Sequence, residues 1–265
     1  MIISDWDDAY ANGVHIEGAD AFPPRWNMAA AAFRAAHPPQ TLSYGAHPRL
    51  VMDVFYPHST PKGVALFVHG GYWMAFDRSS WSHLAAGALA RGYAVALPSY
   101  LLTPECRITD ITNQITCAID RVGGDIPGPI YLAGHSAGGH LVSRMLCEDI
   151  SLNSAPRIAH VLSISGVHDL RPLLRTSMQA ELQLDMAEAV RESAALCTPR
   201  AGTRLTAWVG ALERPEFIRQ AQLLANIWTG LGADCSYVCS ENKHHFNVID
   251  ELANPNSKMI EHWLG

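Results

Sequence analysis

Ile130-Tyr131-Leu132-Ala133-Gly134-His135-Ser136-Ala137-Gly138-Gly139-His140-Leu141 is the stretch on which the fold turns. An apolar run of strand length leads directly into G-x-S-x-G, and the residues from Gly139 to Cys147 can form a helix. A strand, a tight turn around a serine and then a helix make a nucleophile elbow. The turn forces the serine into a strained backbone conformation and lifts its hydroxyl above the sheet, where a base can reach it. Glycine is needed two residues to either side, because a side chain there would strike the neighbouring strand or helix.

A second signal lies upstream. The apolar run Val64–Val68 is followed at once by His69-Gly70-Gly71-Tyr72-Trp73. Glycines directly after an early strand let the N–H groups of Gly70 and Gly71 approach a substrate oxygen, and with the N–H of Ala137 these form an oxyanion hole. Losing one such donor costs roughly 3 kcal/mol of transition-state stabilisation. Taken alone, Gly70-Gly71 reads as a flexible turn; the elbow downstream is what gives it a role.

Outward from these two motifs, strand-length runs alternate with helical spacing. Val51–Tyr56, Val64–Val68, Tyr93–Leu97, Ile130–Ala133, Ile158–Ile164, Leu205–Val209 and Cys235–Cys239 read as strands, the first two as an antiparallel hairpin. Helices are expected over Arg25–Ala36, Ser79–Arg91, Thr109–Val122, Pro215–Leu231 and Asn256–Leu264. Such alternation predicts an α/β fold, with a mostly parallel central sheet and helices on both faces. Residues 1–40 form an N-terminal extension packing on the single domain. Residues 170–198, rich in Leu, Met and Ala, form a small helical cap that leaves the sheet from its carboxyl edge, the edge where ligands bind.

The 265 residues carry 48% hydrophobic and 17% charged side chains, which suits one well-buried unit. The formal charge of −6, without any Lys/Arg cluster, excludes a nucleic-acid surface. The N-terminus lacks the basic start and apolar stretch of a signal peptide, and no apolar run approaches the ~20 residues of a membrane span. A cytoplasmic location follows as the expectation. The six cysteines (106, 117, 147, 197, 235 and 239) contain no C-x-x-C pair and are expected to be reduced, with Cys235 and Cys239 buried on one side of their strand. The thirteen histidines form no H-x-x-x-H or H-x-H run with nearby carboxylates, so neither metal nor cofactor is expected. The expected partner is a small-molecule substrate, with no nucleic acid or membrane; a homodimer is compatible with the chain.

A serine nucleophile needs a base, and the base needs an orienting carboxylate, in the chain order Ser, acid, His. The loop after the last strand holds Lys243-His244-His245-Phe246, while His262 lies on the last helix, and periodicity does not choose between His244 and His245. The loop after Leu205–Val209 offers Glu213; Asp169, one strand earlier, competes, while Glu216 suits the N-terminus of the next helix.

These residues resemble the kynurenine formamidases (arylformamidases) of the α/β-hydrolase fold, near the hormone-sensitive-lipase-like esterases. The likeness rests on His69–Trp73, Gly134–Leu141, Ser165-Gly166-Val167-His168-Asp169-Leu170, Val209–Phe217 and His245-Phe246, and spans most of residues 44–252. It implies Ser136 as nucleophile, His245 as base and Glu213 as acid, where the family usually carries aspartate. It further implies an oxyanion hole at Gly70, Gly71 and Ala137. Tyr72, Trp73 and His69 stand as substrate contacts on the same loop, with Trp81 either stacking on substrate or packed in the core. The implied reaction is hydrolysis of an aryl formamide such as N-formylkynurenine, with a carboxylesterase acting on small acyl esters as the alternative. The D-Y-R-L-A-P stretch common in the esterases is matched loosely by Ser99–Pro104. A non-catalytic receptor on this fold would have little need of serine, histidine and oxyanion glycines together.

Overall fold

Val64–Val68 is apolar at every position, and a strand of that kind must be covered on both faces. The computed structural model, which describes residues 3–265, places it as β3 near the middle of an eight-stranded sheet. The strands are β1 (Gln40–Ser43), β2 (Val51–Phe55), β3 (Val64–Val68), β4 (Ala94–Pro98), β5 (Ile130–His135), β6 (Ile158–Ile164), β7 (Arg204–Gly210) and β8 (Asp234–Ser240). Their order is β1-β2-β4-β3-β5-β6-β7-β8; β2 pairs antiparallel with both β1 and β4, and every pairing from β4 to β8 is parallel.

Side chains of β3 alternate between two cores. Val64, Leu66 and Val68 face one, built with helices α4 (Ile108–Asp125), α5 (Ala137–Arg144) and α8 (Pro215–Gly230). Ala65 and Phe67 face the other, built with α2 (Phe22–Ala36), α3 (Ala86–Ala90), the 3-10 turn before it and α9 (Lys258–Leu264). Helix α4 shows why the sequence folds so: Ile108, Ile111, Ile115, Ile119 and Val122 recur at three- and four-residue spacing and are fully buried. Each such side chain contributes roughly 1.5–3 kcal/mol on burial.

Several expectations are corrected. Val51–Tyr56 and Val64–Val68 form no hairpin: β2 pairs with β1 and β4, and β3 inserts between β4 and β5. The two-faced apolarity of β3 demands that inner place. The short strand β1 carries no signal in the sequence, because it is mostly exposed and lacks an apolar period. Residues 78–85 form a 3-10 turn, capped by Asp77 Oδ1 accepting from Ser79 N at 2.7 Å, before α3 begins. Helix α2 starts at Phe22, earlier than expected, because Pro23 and Pro24 fit a first turn whose N–H groups need no intrahelical acceptor. Cys235 is half-buried and Cys239 exposed, since β8 lies at the sheet's edge.

Residues 170–198 consist of short turns and two brief helices, α6 (Gln179–Leu182) and α7 (Met186–Arg191). Glu188 of α7 is held by Arg107 and by the backbone and hydroxyl of Thr109 at the start of α4.

The elbow depends on backbone contact closer than any side chain permits. A Cβ on Gly138 would lie 2.0 Å from the carbonyl oxygen of Val68, and one on Gly134 would lie 2.1 Å from that of Gly138. Gly138→Ala therefore forces β3 and α5 apart. Denaturant unfolding is expected to show a loss of about 3 kcal/mol or more; a loss below about 1 kcal/mol would contradict the tight approach.

Candidate active site

Ser136 joins β5 to α5 with φ 56° and ψ −117°, a conformation that residues with side chains rarely adopt. It is held there by its N–H donating to the Ile164 carbonyl at 2.8 Å and its own carbonyl accepting from His140 N at 3.1 Å. The next strands supply the rest from the same carboxyl edge. Glu213 lies in the loop after β7 and His245 in the loop after β8, and His245 Nδ1 meets Glu213 Oε2 at 2.6 Å. The other carboxylate oxygen accepts from Ser165 Oγ at 2.5 Å and from Gly210 N at 2.8 Å. Glu213 is thus a fully buried carboxylate with donors on both oxygens, which is what makes its burial tolerable. The loops carrying Glu213 and His245 are pinned together by Leu212 N donating to Lys243 O at 2.9 Å.

The alternatives separate cleanly. Asp169 is gripped two-handed by Arg171, with both bonds at 2.9 Å. The His244 ring packs edge-on against Phe22 at 5.3 Å and lies outside the cavity lining.

Ser136 and His245 line one cavity of about 440 Å³. No hydrogen bond joins their side chains among the described residues, as is common before substrate binding tightens such pairs. Gly70 and Gly71 line the same cavity, and among the described residues no protein acceptor takes the N–H of Gly70, Gly71 or Ala137. Gly71, at φ 106°, allows that loop to double back on Ala75, where a Cβ would meet the Ala75 oxygen at 2.6 Å.

Aromatic rings wall the cavity: Phe76, Trp81 and Phe246 all have ring centroids within 6.3 Å of Trp26. Trp81 is thereby both a core residue and a lining one. Tyr72 lines the cavity with φ 52°; its hydroxyl donates to Tyr10 O and accepts from Asn12 Nδ2 at 3.0 Å. The roof is mainly the N-terminal extension, from Asp7 to Trp26, whereas the 170–198 insert supplies Ser177 and Met178. Ser177 N donates to Asp7 Oδ1 at 2.6 Å, joining the two.

Two expected substrate contacts lie elsewhere. Trp73 is wholly buried against His140, ring centroids 5.2 Å apart, because its left-handed backbone (φ 60°) turns the chain into the core. His69 is stacked under Tyr100 at 4.3 Å and outside the lining; it and Tyr100, whose hydroxyl donates to the His69 carbonyl at 3.0 Å, brace the glycine loop from behind.

Sequence reasoning missed Ser165 and His135. His135 Nε2 donates to the carbonyl of His245 at 2.9 Å, and their rings lie 4.6 Å apart, so the elbow itself steadies His245. Both residues belong to motif stretches, but only the fold reveals what they touch.

Burial lowers the proton affinity of the other interior histidines: His69 to about 4, His140 and His168 to about 3, and His135 well below its ordinary value. The unfolded chain binds these protons near 6.5, so stability is fully present above that pH and is lost as pH falls toward 4. The melting temperature should therefore drop between about pH 7 and about pH 5; a flat profile would contradict neutral burial of these rings. Among the described residues, the grouping of possible metal ligands is Cys147, Asp149 and Cys197, none of which lines the cavity.

His135→Gln keeps a donor and His135→Ala removes it. The alanine variant is expected to lose kcat by roughly tenfold to a hundredfold with little change in KM, and the glutamine variant much less. Equal losses in both would show that the bond to the His245 carbonyl is unimportant.

The model of the alpha/beta hydrolase family matches residues 65–261. The chain is 28% identical to the kynurenine formamidase of Danio rerio over 84% of its own length and 80% of the relative's. It is 30% identical to that of Drosophila melanogaster, over 80% and 76%. A solved structure from a Silicibacter species, named as a candidate thioesterase, superposes with TM-score 0.94 at 49% identity, covering 98% of this chain and 99% of that one. Esterase B of Lactobacillus rhamnosis shares the fold, with TM-score 0.68 at 16% identity over 94% of this chain and 92% of its own. The matched residues take in both the glycine loop and the elbow, and the chain belongs to the alpha/beta hydrolase family.

Proposed function

We propose that this hydrolase cleaves an aryl formamide such as N-formylkynurenine through a Ser136–His245–Glu213 acyl-transfer mechanism. One observation carries the reading: the buried Glu213–His245 pair brings an imidazole to the aromatic-walled cavity that Ser136 also lines, and among the described residues no protein acceptor takes the N–H groups of its glycine loop.

The formyl carbon lies over Ser136, with its oxygen toward the N–H groups of Gly70, Gly71 and Ala137. Ser136 Oγ attacks as His245 Nε2 takes its proton, and Glu213 stabilises the resulting imidazolium through Nδ1. The oxyanion is met by donors already in place, so little reorganisation opposes it. His245 then gives the proton to the departing aryl nitrogen. Water, deprotonated by the same imidazole, releases formate from the serine ester. Tyr72, Trp26, Trp81 and Phe246 supply faces for an aromatic ring, and a cavity of about 440 Å³ is of the size that encloses small ligands.

The relatives named kynurenine formamidase support the formamide. Ester or thioester hydrolysis is the second reading, favoured by the 49% identical chain named as a candidate thioesterase. All three reactions use the same serine chemistry and differ in the leaving group.

The test is a panel of N-formylkynurenine, short-chain p-nitrophenyl esters and a short acyl thioester. The formamide should give the highest kcat/KM, and Glu213→Gln should lower kcat on every substrate by about 10²–10⁴-fold, because the wrong tautomer of His245 is then favoured. Negligible formamide turnover beside ready ester or thioester turnover would overturn the formamide assignment and leave the second reading.

A further inference from the structure

Away from the cavity, at the far end of the elbow helix, two thiols and a carboxylate converge. Cys147 Sγ, Cys197 Sγ and an Asp149 oxygen all lie within 4.8 Å of one another. The side chain between them is Arg144, the last residue of α5 and almost wholly buried. Its Nη1 donates to Cys197 Sγ at 3.0 Å and to Asp149 Oδ1 at 3.1 Å, its Nη2 to Asp149 Oδ2 at 2.6 Å, and its Nε to Glu192 Oε2 at 3.3 Å. A buried guanidinium aimed at a sulfur favours the thiolate, the reactive form of cysteine.

The two thiols are unequal. Cys197 is half-buried, so a small reagent in solvent can reach it, while Cys147 is buried behind it. The segments that carry them are laced together: Cys147 bridges Pro199 in antiparallel fashion, and Glu148 N donates to Thr198 O at 3.0 Å. Neither cysteine lines the cavity.

We propose that Cys197 and Cys147 form a peroxide-reactive pair, with Cys197 attacking and Cys147 resolving. The Cys197 thiolate attacks one oxygen of a hydroperoxide; the O–O bond breaks, the sulfur is oxidised to sulfenic acid, and the departing oxygen leaves as water or alcohol after taking up a proton. Cys147 then attacks that sulfur, the S–O bond breaks, and hydroxide leaves as water with the Cys147 proton. The sum is two thiols and one peroxide giving one disulfide and two hydroxylic products. Closing the bond brings the sulfurs to about 2.05 Å. The direction of acidity agrees: the Cys147 thiol and Arg144 lower the Cys197 thiol, whereas Cys147 is raised, chiefly by that same contact and by burial.

The experiment is limiting hydrogen peroxide on the intact protein, followed by alkylation and peptide mapping. Two of the six thiols should disappear together, with a mass loss of two hydrogens and a linked Cys147–Cys197 peptide. Cys147→Ser should instead leave a sulfenic acid on Cys197 that dimedone traps, about tenfold faster than on the exposed Cys117 and Cys239. Should Cys147→Ser misfold, Cys147→Ala serves the same purpose. The proposal is overturned if Cys117 or Cys239 reacts first, if dimedone marks Cys197 no faster than they do, or if added zinc binds stoichiometrically and shields both thiols.

Discussion

A buried carboxylate is costly unless every oxygen has a donor, and Glu213 is where this protein meets that cost. Its three donors come from three places: Ser165 after β6, Gly210 at the end of β7 and His245 after β8. One side chain therefore fixes the relative positions of three loops at the carboxyl edge of the sheet. Removing it would leave a hydroxyl, a backbone N–H and an imidazole N–H unpaired in the interior. The longer reach of glutamate is what spans from the β7 loop to the imidazole while still meeting Ser165 on the other oxygen.

The elbow supplies the second fixed point. Ser136 holds its strained backbone because the Val68 carbonyl presses against Gly138, and because His135 and Ser136 reach across to the β8 loop and to β6. Strain of this kind persists only where surrounding structure over-determines it. Tyr72 and Trp73 repeat the device on the glycine loop, each with a positive φ and each anchored, one to the N-terminal extension and one in the core.

What is legible in the sequence follows from how far each signal reaches along the chain. Ser136, Gly70 and Gly71 sit in local patterns that need specific residue types within a few positions, so the bare order of residues is enough to find them. Helix α4 is legible because its isoleucines obey one period. Choosing Glu213 over Asp169, or His245 over His244, needs distances between loops, and no spacing contains them. The place of β3 within the sheet, the short exposed β1, and the burial of Trp73 are likewise tertiary facts. The roof is hard to read for a related reason: the 170–198 insert invites the role of a cap and supplies Ser177 and Met178, with Arg107 and Arg144 holding its Glu188 and Glu192, yet more of the lining comes from the N-terminal extension.

The claim at the centre is that the hydroxyl of Ser136 is activated by the His245–Glu213 pair. The most direct measurement is peptide mapping after treatment with a phosphonylating serine reagent, in wild type and in Glu213→Ala. The account predicts a single adduct on Ser136, formed far more slowly once the carboxylate is gone. An adduct on another serine, or equal labelling rates in the two proteins, would contradict it.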